Sequence, residues 1–587
     1  MNKVNILIIL VATLFSCNSD YYNVQNDPVT YGESYISANL SCDKPLYAPN
    51  EQVVFSLKEL PANAKVRYLH LNQVIAEETL SGKTWTWTPP ATDFQGYMVE
   101  IFIEQNGEKT TLETIGIDVS SDWAKFPRYG FLSIYDRMQA QFVERNIATL
   151  NRFHINGLQF YDWLYDHHRP MAGTVENPAQ EWLDIFNRPN YFSTVKNYIT
   201  AAKARNMKTM FYNLCYGATN NAAADGVSDE WYAYKDRNHS QKDAHVLGGR
   251  SSIWITNPNN IDWQNYLINR NKDVYAVFDF DGYHIDQLGE RSTLYDYSGN
   301  EINMPNSFGS FIRAMKTAEP DKHLLFNAVG GYAQEKIANE AVDFLYAEIW
   351  GSRDGDNPDM NFADLIVAMR DNVLKSRNPE KNIVLAAYMN YNLKSAGAVN
   401  KAGVLLADAA IFAWGGAHLE LGEHYLINEY FPANNLQMHE DLSAALINYY
   451  DFSVAYQNLL RDGGNFQAVT LSFADQNLRT KDFFDAEKGD IACVGKKVAG
   501  KDIIHLINFT NASTMQWRDS KGTQVEPQLI ENPTVTFTTE GTASRVWFAS
   551  PDLNGGAPQT LNFSQNGNNT TVTLPQLKYW DMIVVEY

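Results

Sequence analysis

Cysteine, positive charge and long apolar runs are all in short supply in this 587-residue chain, and each shortage excludes something. Of the four cysteines, those beyond Cys17 (Cys42, Cys215 and Cys493) are scattered and odd in number. That excludes a disulfide framework, so an exported protein of this kind depends on packed cores; no CxxC or zinc-ligand spacing occurs. The 47 Lys and Arg residues are outnumbered by 68 Asp and Glu, for a formal net charge of −21. Such a chain repels nucleic acid and anionic membranes, which leaves a neutral ligand as the natural partner. The apolar run from Ile6 to Phe15 is too short to span a bilayer. No GxSxG elbow, Walker A loop or dinucleotide fingerprint stands in a fitting context, and the sequence has no internal repeats or low-complexity tracts.

What is present describes a folded protein. Hydrophobic residues make up 45% and charged residues 20%, and the length predicts about two to four domains. Aromatic residues reach 13%, with 33 Tyr and 13 Trp; rings with hydrogen-bonding edges suit a site that stacks on sugars, although most belong to cores. The first residues, MNKVNILIILVATLFSC, place Lys3 before the apolar run and Leu14-Phe15-Ser16-Cys17 after it. This reads as a signal peptide whose end resembles a bacterial lipobox. Residues 1–17 are therefore expected to be a lipoprotein signal, with Cys17 the lipidated first residue of the mature chain and 18–32 a polar tether. An ordinary secretory signal with a chance cysteine is the alternative. The expected location is the bacterial cell envelope, lipid-anchored at the outer membrane on its surface or periplasmic face.

The pattern along the chain predicts a multidomain protein. Residues 33–120 carry short alternating runs separated by Pro, Asn and Gly, which fits an immunoglobulin-like β-sandwich. The WTWTPP segment there reads as core and edge packing rather than a sugar-binding edge. Over 121–475, strand-like runs such as YGFLSIY (129–135), FDGYHIDQL (280–288) and DFLYAEIW (343–350) alternate with amphipathic stretches. Eight such alternations are the signature of a (β/α)8 TIM barrel, and the long 215–260 segment is the sort of loop that builds a substrate site. Residues 476–587 return to β-patterns and are expected to form a C-terminal Greek-key β-sandwich.

On a barrel, chemistry collects at the C-terminal strand ends. Period-2 alternation puts Gly282, His284 and Asp286 on one face of strand four, and Tyr346 and Glu348 on one face of strand six. Asp286 and Glu348 should therefore point into the barrel mouth from strands two apart. Two facing carboxylates there are what glycoside hydrolysis needs, one to protonate the leaving oxygen and one to stabilise or attack the anomeric carbon. A calcium loop in FDFDGYHID fails, because aligning Gly282 with the loop glycine puts Val277 and Leu288 at ligand positions. Asp162, Asp166, His167 and His168 in YDWLYDHHRP are metal-ligating types without an HExxH-type spacing, and read better as a hydrogen-bonding loop beside a sugar. No metal and no cofactor is expected.

The segments INGLQFYDWLYDHHRP (155–170), FDGYHIDQLGER (280–291), YAEIW (346–350) and LGEHYLINEYFP (421–432) resemble glycoside hydrolase family 66. That family contains endo-dextranases and cycloisomaltooligosaccharide glucanotransferases, retaining enzymes acting on α-1,6-linked glucans. The resemblance covers most of the mature chain and implies the same three-part architecture. It implies that Asp286 is the nucleophile and Glu348 the acid/base, and the neighbouring charge of Asp286 with partial burial is expected to raise the pKa of Glu348. It further implies substrate-binding roles for Tyr161, Asp162, Trp163, His168, Asn213, Asn327, Trp350, Tyr388 and Asn390. The implied activity is retaining endo-hydrolysis of dextran, releasing isomaltooligosaccharides. Cyclising members carry a carbohydrate-binding module near strand seven, whereas here only about ten residues, YNLKSAGAVN, separate Asn390 from the next helix, which favours the hydrolase. The competing readings are a cycloisomaltooligosaccharide-forming transglycosylase, a hydrolase of another α-glucan, and a non-catalytic surface glycan-binding lipoprotein. The partners expected are dextran and isomaltooligosaccharides, with no nucleic acid and with membrane contact only through the lipid anchor.

Overall fold

The computed structural model describes residues 39–246, 252–349, 360–377, 381–427 and 430–587. The signal segment with Cys17, the tether 18–32 and Trp350 lie outside the described residues.

The N-terminal part is built from two antiparallel sheets. Leu40–Cys42, Val53–Leu57 and Thr84–Trp87 form one; Gln73–Thr79, Lys65–His70, Gln95–Gln105 and Glu108–Val119 form the other. Along Val53–Leu57 the odd positions are buried while Ser56 is exposed, the alternation of a strand with one wet face. The inner faces meet in a core of Phe55, Tyr68, Tyr97, Ile101 and Ile115. Trp85 stacks on Phe55 at 5.0 Å and Trp87 on Tyr68 at 4.4 Å. The TWTW rings thus close the edge of this core, as the alternation predicts.

In the central part eight strands alternate with eight helices. In chain order they are β1 (Tyr129–Leu132), α1 (Ala140–Arg152), β2 (Gly157–Phe160), α2 (Phe192–Ala204), β3 (Lys208–Leu214), α3 (Ile261–Val277), β4 (Gly282–Asp286) and α4 (Met304–Ala318). There follow β5 (His323–Phe326), α5 (Gln334–Ala338), β6 (Leu345–Ile349), α6 (Phe362–Lys375), β7 (Ile383–Ala387), α7 (Lys401–Ala413), β8 (Ala417–His418) and α8 (Glu440–Ala455). Four of these helices start on an asparagine whose side chain accepts a first-turn N–H: Asn260, Asn303, Asn361 and Asn400.

The strands run parallel in two sheets, β5-β4-β3-β2-β1 and β6-β7-β8. An isolated parallel bridge from Asn327 to Tyr346 links β5 to β6, and the Phe131 amide of β1 donates to the Leu421 carbonyl beyond β8 at 3.1 Å. Alternate side chains, among them Tyr129, Phe131, Met210, Leu325, Tyr346 and Val384, pack together on the enclosed face. The intervening residues meet the helices in the largest core; Tyr283, for example, stacks on Phe211 at 4.8 Å. Strands covered on both faces carry near-continuous apolar runs, which is why β4, β6 and β7 are buried throughout.

Helix α8 locks the N-terminal sheet to this body. A Cβ on Gly96 would lie 2.2 Å from the Val454 carbonyl, and one on Gly116 would lie 2.5 Å from the Asp451 carbonyl. Only glycine permits that approach. Beside it the buried Asp451 carboxylate binds Arg152 at 2.8 Å and His154 at 2.6 Å.

In the C-terminal part antiparallel pairing begins at Asn465–Gln467, which pairs with Asp490–Val498, ahead of the residue 476 expected from the pattern. That sheet continues through Lys501–Asn508, Trp580–Glu586, Arg545–Ala549 and Gln559–Leu561. A facing sheet of Leu471–Phe473, Thr534–Thr538, Asn569–Thr573 and Phe563–Asn566 encloses an apolar core with it. The early start escaped the sequence reading because a three-residue strand is too short to show periodicity.

Candidate active site

The last residue of β4, Asp286, stands at the end of the enclosed row Gly282, His284, Asp286. Below it His284 is sandwiched by neighbours from across the sheet. Its ring lies parallel to Tyr129 at 5.8 Å and edge-on to Tyr346 at 4.7 Å. Burial drives the His284 pKa down to about 3, so the imidazole is a neutral filler rather than a proton carrier at physiological pH. Asp286 accepts three hydrogen bonds. Tyr212 Oη donates to Oδ2 at 2.8 Å, Asn327 Nδ2 to Oδ1 at 2.9 Å, and the Gln287 backbone N–H to Oδ1 at 2.8 Å.

Glu348 occupies the equivalent place on β6. Tyr388, from the end of β7, lies with Oη 2.5 Å from Glu348 Oε1. The Glu348 backbone N–H donates to Asn327 Oδ1 at 3.2 Å. Asn327 therefore holds both carboxylate-bearing strands with one side-chain amide. Burial first, and the Glu348 charge second, push the Asp286 pKa up to about 8, while its three donors pull it down. The raised carboxyl at this site is that of Asp286. Because the Glu348 charge acts on Asp286, the two buried carboxylates titrate as a pair.

Aromatic rings wall the site. Tyr161, half-buried past the end of β2, lies 4.7 Å from Tyr212 and stacks on Phe431 at 4.1 Å. Phe431 also meets Tyr388 edge-on at 6.2 Å. Of the residues named from the sequence, Asp286, Glu348, Asn327, Tyr388 and Tyr161 are brought together here.

The others are turned to different tasks. Asp162 gives its carboxylate to Arg188 at 2.9 Å, and burial pushes its pKa up to about 7 against the pull of that guanidinium. Trp163 is fully enclosed among Phe211, Phe278 and Phe280, with its indole N–H on the Tyr212 carbonyl, and has no face open to a ligand. His168 bonds Asp225 at 2.9 Å, tying the loop after β2 to the long segment after β3. Asn213 braces that same loop through His167, donating to its carbonyl and contacting its Nδ1. Asn390 holds segment 518–519, its Nδ2 donating to the Asp519 carbonyl at 2.8 Å.

The physical reasons are local. Asn213 lies out of phase with Met210 and Tyr212 on β3, so it points away from the enclosed face, and Tyr212 is the site residue the sequence reading missed. Asp162 and Asn390 have φ of 51° and 50°, so the chain leaves strand phase at both. Phe431 lay hidden because it is far from any strand end.

Asp162, Asp166, His167 and His168 do not converge on one point; their contacts run to Arg188, Arg169, Asn213 and Asp225. Among the described residues one group places metal-ligating atoms within 4.8 Å of one another: Asp408 of α7, His418 of β8 and Glu420. Apart from Asp408 Oδ2, which is buried without a hydrogen-bond partner, their atoms serve one another and their neighbours. His418 Nδ1 meets Asp408 Oδ1 at 2.8 Å and Nε2 the Ala387 carbonyl at 2.7 Å, while Tyr425 and Tyr450 donate to Glu420 at 2.7 and 2.9 Å. A protonated imidazole between two carboxylates satisfies this geometry by itself, consistent with a His418 pKa pushed up to about 10 by Glu420 and Asp408.

With the geometry in view, the chain can be compared with known proteins. It is 28% identical to a cycloisomaltooligosaccharide glucanotransferase of Niallia circulans over 86% of this chain and 65% of that protein. It therefore spans less than two thirds of that relative's length. It is 25% identical to a dextranase of Streptococcus salivarius over 89% of this chain and 70% of that protein. Its structure matches that of a Paenibacillus sp. cycloisomaltooligosaccharide glucanotransferase complexed with cycloisomaltoheptaose. There the TM-score is 0.84 and the identity 25%, over 93% of this chain and 99% of that one. The model of glycosyl hydrolase family 66 matches residues 42–584, and the chain belongs to that family.

Proposed function

We propose that this protein is a retaining endo-hydrolase of α-1,6-glucosidic linkages in dextran, releasing isomaltooligosaccharides. The observation that carries the reading is the carboxylate pair, Asp286 and Glu348, at the ends of parallel strands β4 and β6 and bridged by Asn327 from the end of β5 between them. We read the two parallel sheets as one (β/α)8 barrel, for which the Asn327–Tyr346 bridge and the Phe131–Leu421 hydrogen bond are the support.

The chemistry follows from how each carboxylate is held. The pair shares one proton, and the reactive form is the one in which Glu348 carries it and Asp286 is charged, the form that the three donors on Asp286 assist. Asp286 attacks the anomeric carbon, and Glu348 protonates the departing O6, which gives a covalent glycosyl-enzyme. Glu348, now ionised, takes a proton from the incoming water, whose oxygen displaces Asp286. Two inversions restore the α configuration. Tyr161, backed by the buried Phe431 ring, supplies aromatic surface beside the reacting centre.

A second reading, transglycosylation to cyclic isomaltooligosaccharides, is favoured by the likeness to the two glucanotransferases. Against it, the link from Asn390 to α7 is short and is stitched down, with Gly397–Ala398 paired to Leu436–Gln437. Incubation with dextran, starch and pullulan, with reducing ends and product masses followed, separates the readings. Linear isomaltooligosaccharides from dextran alone support the hydrolase; cyclic products, lighter by one water, support the transferase; cleavage of starch or pullulan instead overturns the substrate assignment. Asp286→Asn and Glu348→Gln should each abolish dextran cleavage with the fold intact. We also propose that Cys17 carries a lipid anchor at the cell envelope, which metabolic labelling with a fatty-acid probe tests against Cys17→Ser.

A further inference from the structure

The C-terminal β-region reaches the strand ends that carry Glu348 and Tyr388. Segment 515–524, between Lys501–Asn508 and Thr534–Thr538, runs back across the ends of β6 and β7. Arg518 is the point of contact with both. Its Nη2 donates to the carbonyl of Ile349, the residue after Glu348, at 3.2 Å. Its own backbone carbonyl accepts from the Asn390 amide at 2.9 Å, two residues past Tyr388. Both contacts are buried, and they flank the Glu348–Tyr388 hydrogen bond from either side. The guanidinium is held over the Tyr391 ring at 4.7 Å.

The neighbouring residue secures the register of this clamp. The Asp519 carbonyl accepts from Asn390 Nδ2, and its carboxylate accepts the Thr523 and Gln524 amides. That carboxylate packs so closely on α7 that a Cβ at Gly403 would stand 2.7 Å from its Oδ2. Segment 515–524 therefore cannot slide along β7 without breaking contacts made by side chain and backbone together.

We propose that Arg518 is a positioning residue for the acid/base carboxylate, so that the C-terminal β-region sets the alignment of Glu348 with Tyr388. This rests on the reading of Glu348 as the acid/base. An acid group acts only when its proton lies within hydrogen-bond reach of the leaving oxygen, and a misplacement of ~1 Å can cost ~100-fold in rate. Anchoring the carbonyl next to Glu348 and the backbone past Tyr388 to one rigid side chain limits that error at both partners.

The test compares full-length wild type with Arg518→Met and Arg518→Lys, and with Asn390→Asp, which keeps the turn and the acceptor for Asn400 but loses the donor to Asp519. Dextran, whose leaving group is an alkoxide, needs the acid. An aryl α-isomaltoside with a nitrophenol leaving group needs it little. The expected result for all three variants is a kcat on dextran lower by about 10-fold or more with KM within about threefold, and a kcat/KM on the aryl glycoside nearly unchanged. That ratio reports formation of the glycosyl-enzyme and not the later step in which Glu348 serves as base, so the two substrates are compared in kcat/KM. Asn390→Asp combined with Arg518→Met should add little to either alone, since they break one clamp. Equal losses on both substrates would overturn the proposal. A readout that needs no substrate is the infrared C=O band of protonated Glu348, assigned by its loss in Glu348→Gln. The band should shift in Arg518→Met as the Tyr388 hydrogen bond changes, and an unmoved band overturns the proposal. Should wild type cleave neither glucan, the functional reading fails while the band still decides for or against the clamp.

Discussion

Asn327 donates to Asp286 Oδ1 at 2.9 Å while its own Oδ1 accepts the backbone N–H of Glu348 at 3.2 Å. One neutral amide thereby favours the charged form of Asp286 and ties it to the strand that carries Glu348. Asn327→Ala removes both effects. Misplacing a reacting carboxylate by ~1 Å costs ~100-fold in rate, and a loss of that order on dextran, with a smaller change in KM, is the expected outcome in steady-state kinetics. A loss below about threefold would show that the bracket is not used.

Tyr212 contributes the other side-chain donor to Asp286. Tyr212→Phe keeps the ring and deletes the hydroxyl, so the neutral form of Asp286 becomes easier to reach. The acid limb of the kcat/KM profile should move to higher pH, and kcat at neutral pH should fall by about 10-fold. A pH–rate profile of the variant checks both, and an unmoved acid limb would count against charge stabilisation by this hydroxyl.

The raised Asp286 pKa has a stability consequence with a definite sign. A carboxyl at 3.8 in the unfolded chain and about 8 in the folded one binds more protons when folded across that interval. Stability from this site is therefore present below about pH 4 and is lost as pH rises toward 8. Asp286→Asn, which cannot ionise, should melt higher than wild type at pH 7 to 8, by a few degrees as an order of magnitude. The difference should vanish near pH 4. Activity should fall on the alkaline side near pH 8, where the pair loses its shared proton. Calorimetry across pH reads the first, and kinetics the second.

The buried Asp408–His418–Glu420 group predicts alkaline sensitivity elsewhere. His418 is raised to about 10, so its contribution is complete below its ordinary 6.5 and is lost as pH climbs through 10. Asp408 is raised to about 8, chiefly by burial and by Glu420, and its contribution fades between pH 3.8 and 8 in the same direction. His418→Gln leaves two buried carboxylates without their cation, and removing one partner of such a group costs about 3–5 kcal/mol. Thermal melts from pH 6 to 10 should show a lower Tm for His418→Gln at pH 6 and a flatter dependence above it. Loss of zinc or another metal on dialysis with chelator, with a matching drop in wild-type Tm, would show instead that an ion holds the group.

Much of the site was legible before any coordinates. Period-2 alternation along GYHID and LYAEI put Asp286 and Glu348 on the enclosed face, and the contacts of His284 and Tyr346 there agree with it. The same parity puts Tyr212 rather than Asn213 in phase with Met210 on the enclosed face; the sequence reading took the last polar residue of the strand. Parity could not have corrected Asp162 and Asn390, because a left-handed backbone turn ends strand phase and nothing in one residue's identity announces it.

The sequence by itself determined the strand faces, the alternation of strand and helix, the family and the carboxylate pair, because these depend on local periodicity and on motifs a few residues long. Tertiary structure alone decided who holds those carboxylates. Asn327 reaches Asp286 from 41 positions away, and Arg518 reaches the residue beside Glu348 from across 169. Such pairings arise when whole elements dock and buried polar groups take whichever partner the docking brings within 3 Å or so. That choice has no local signature in the chain, and it sets which carboxylate can stay charged.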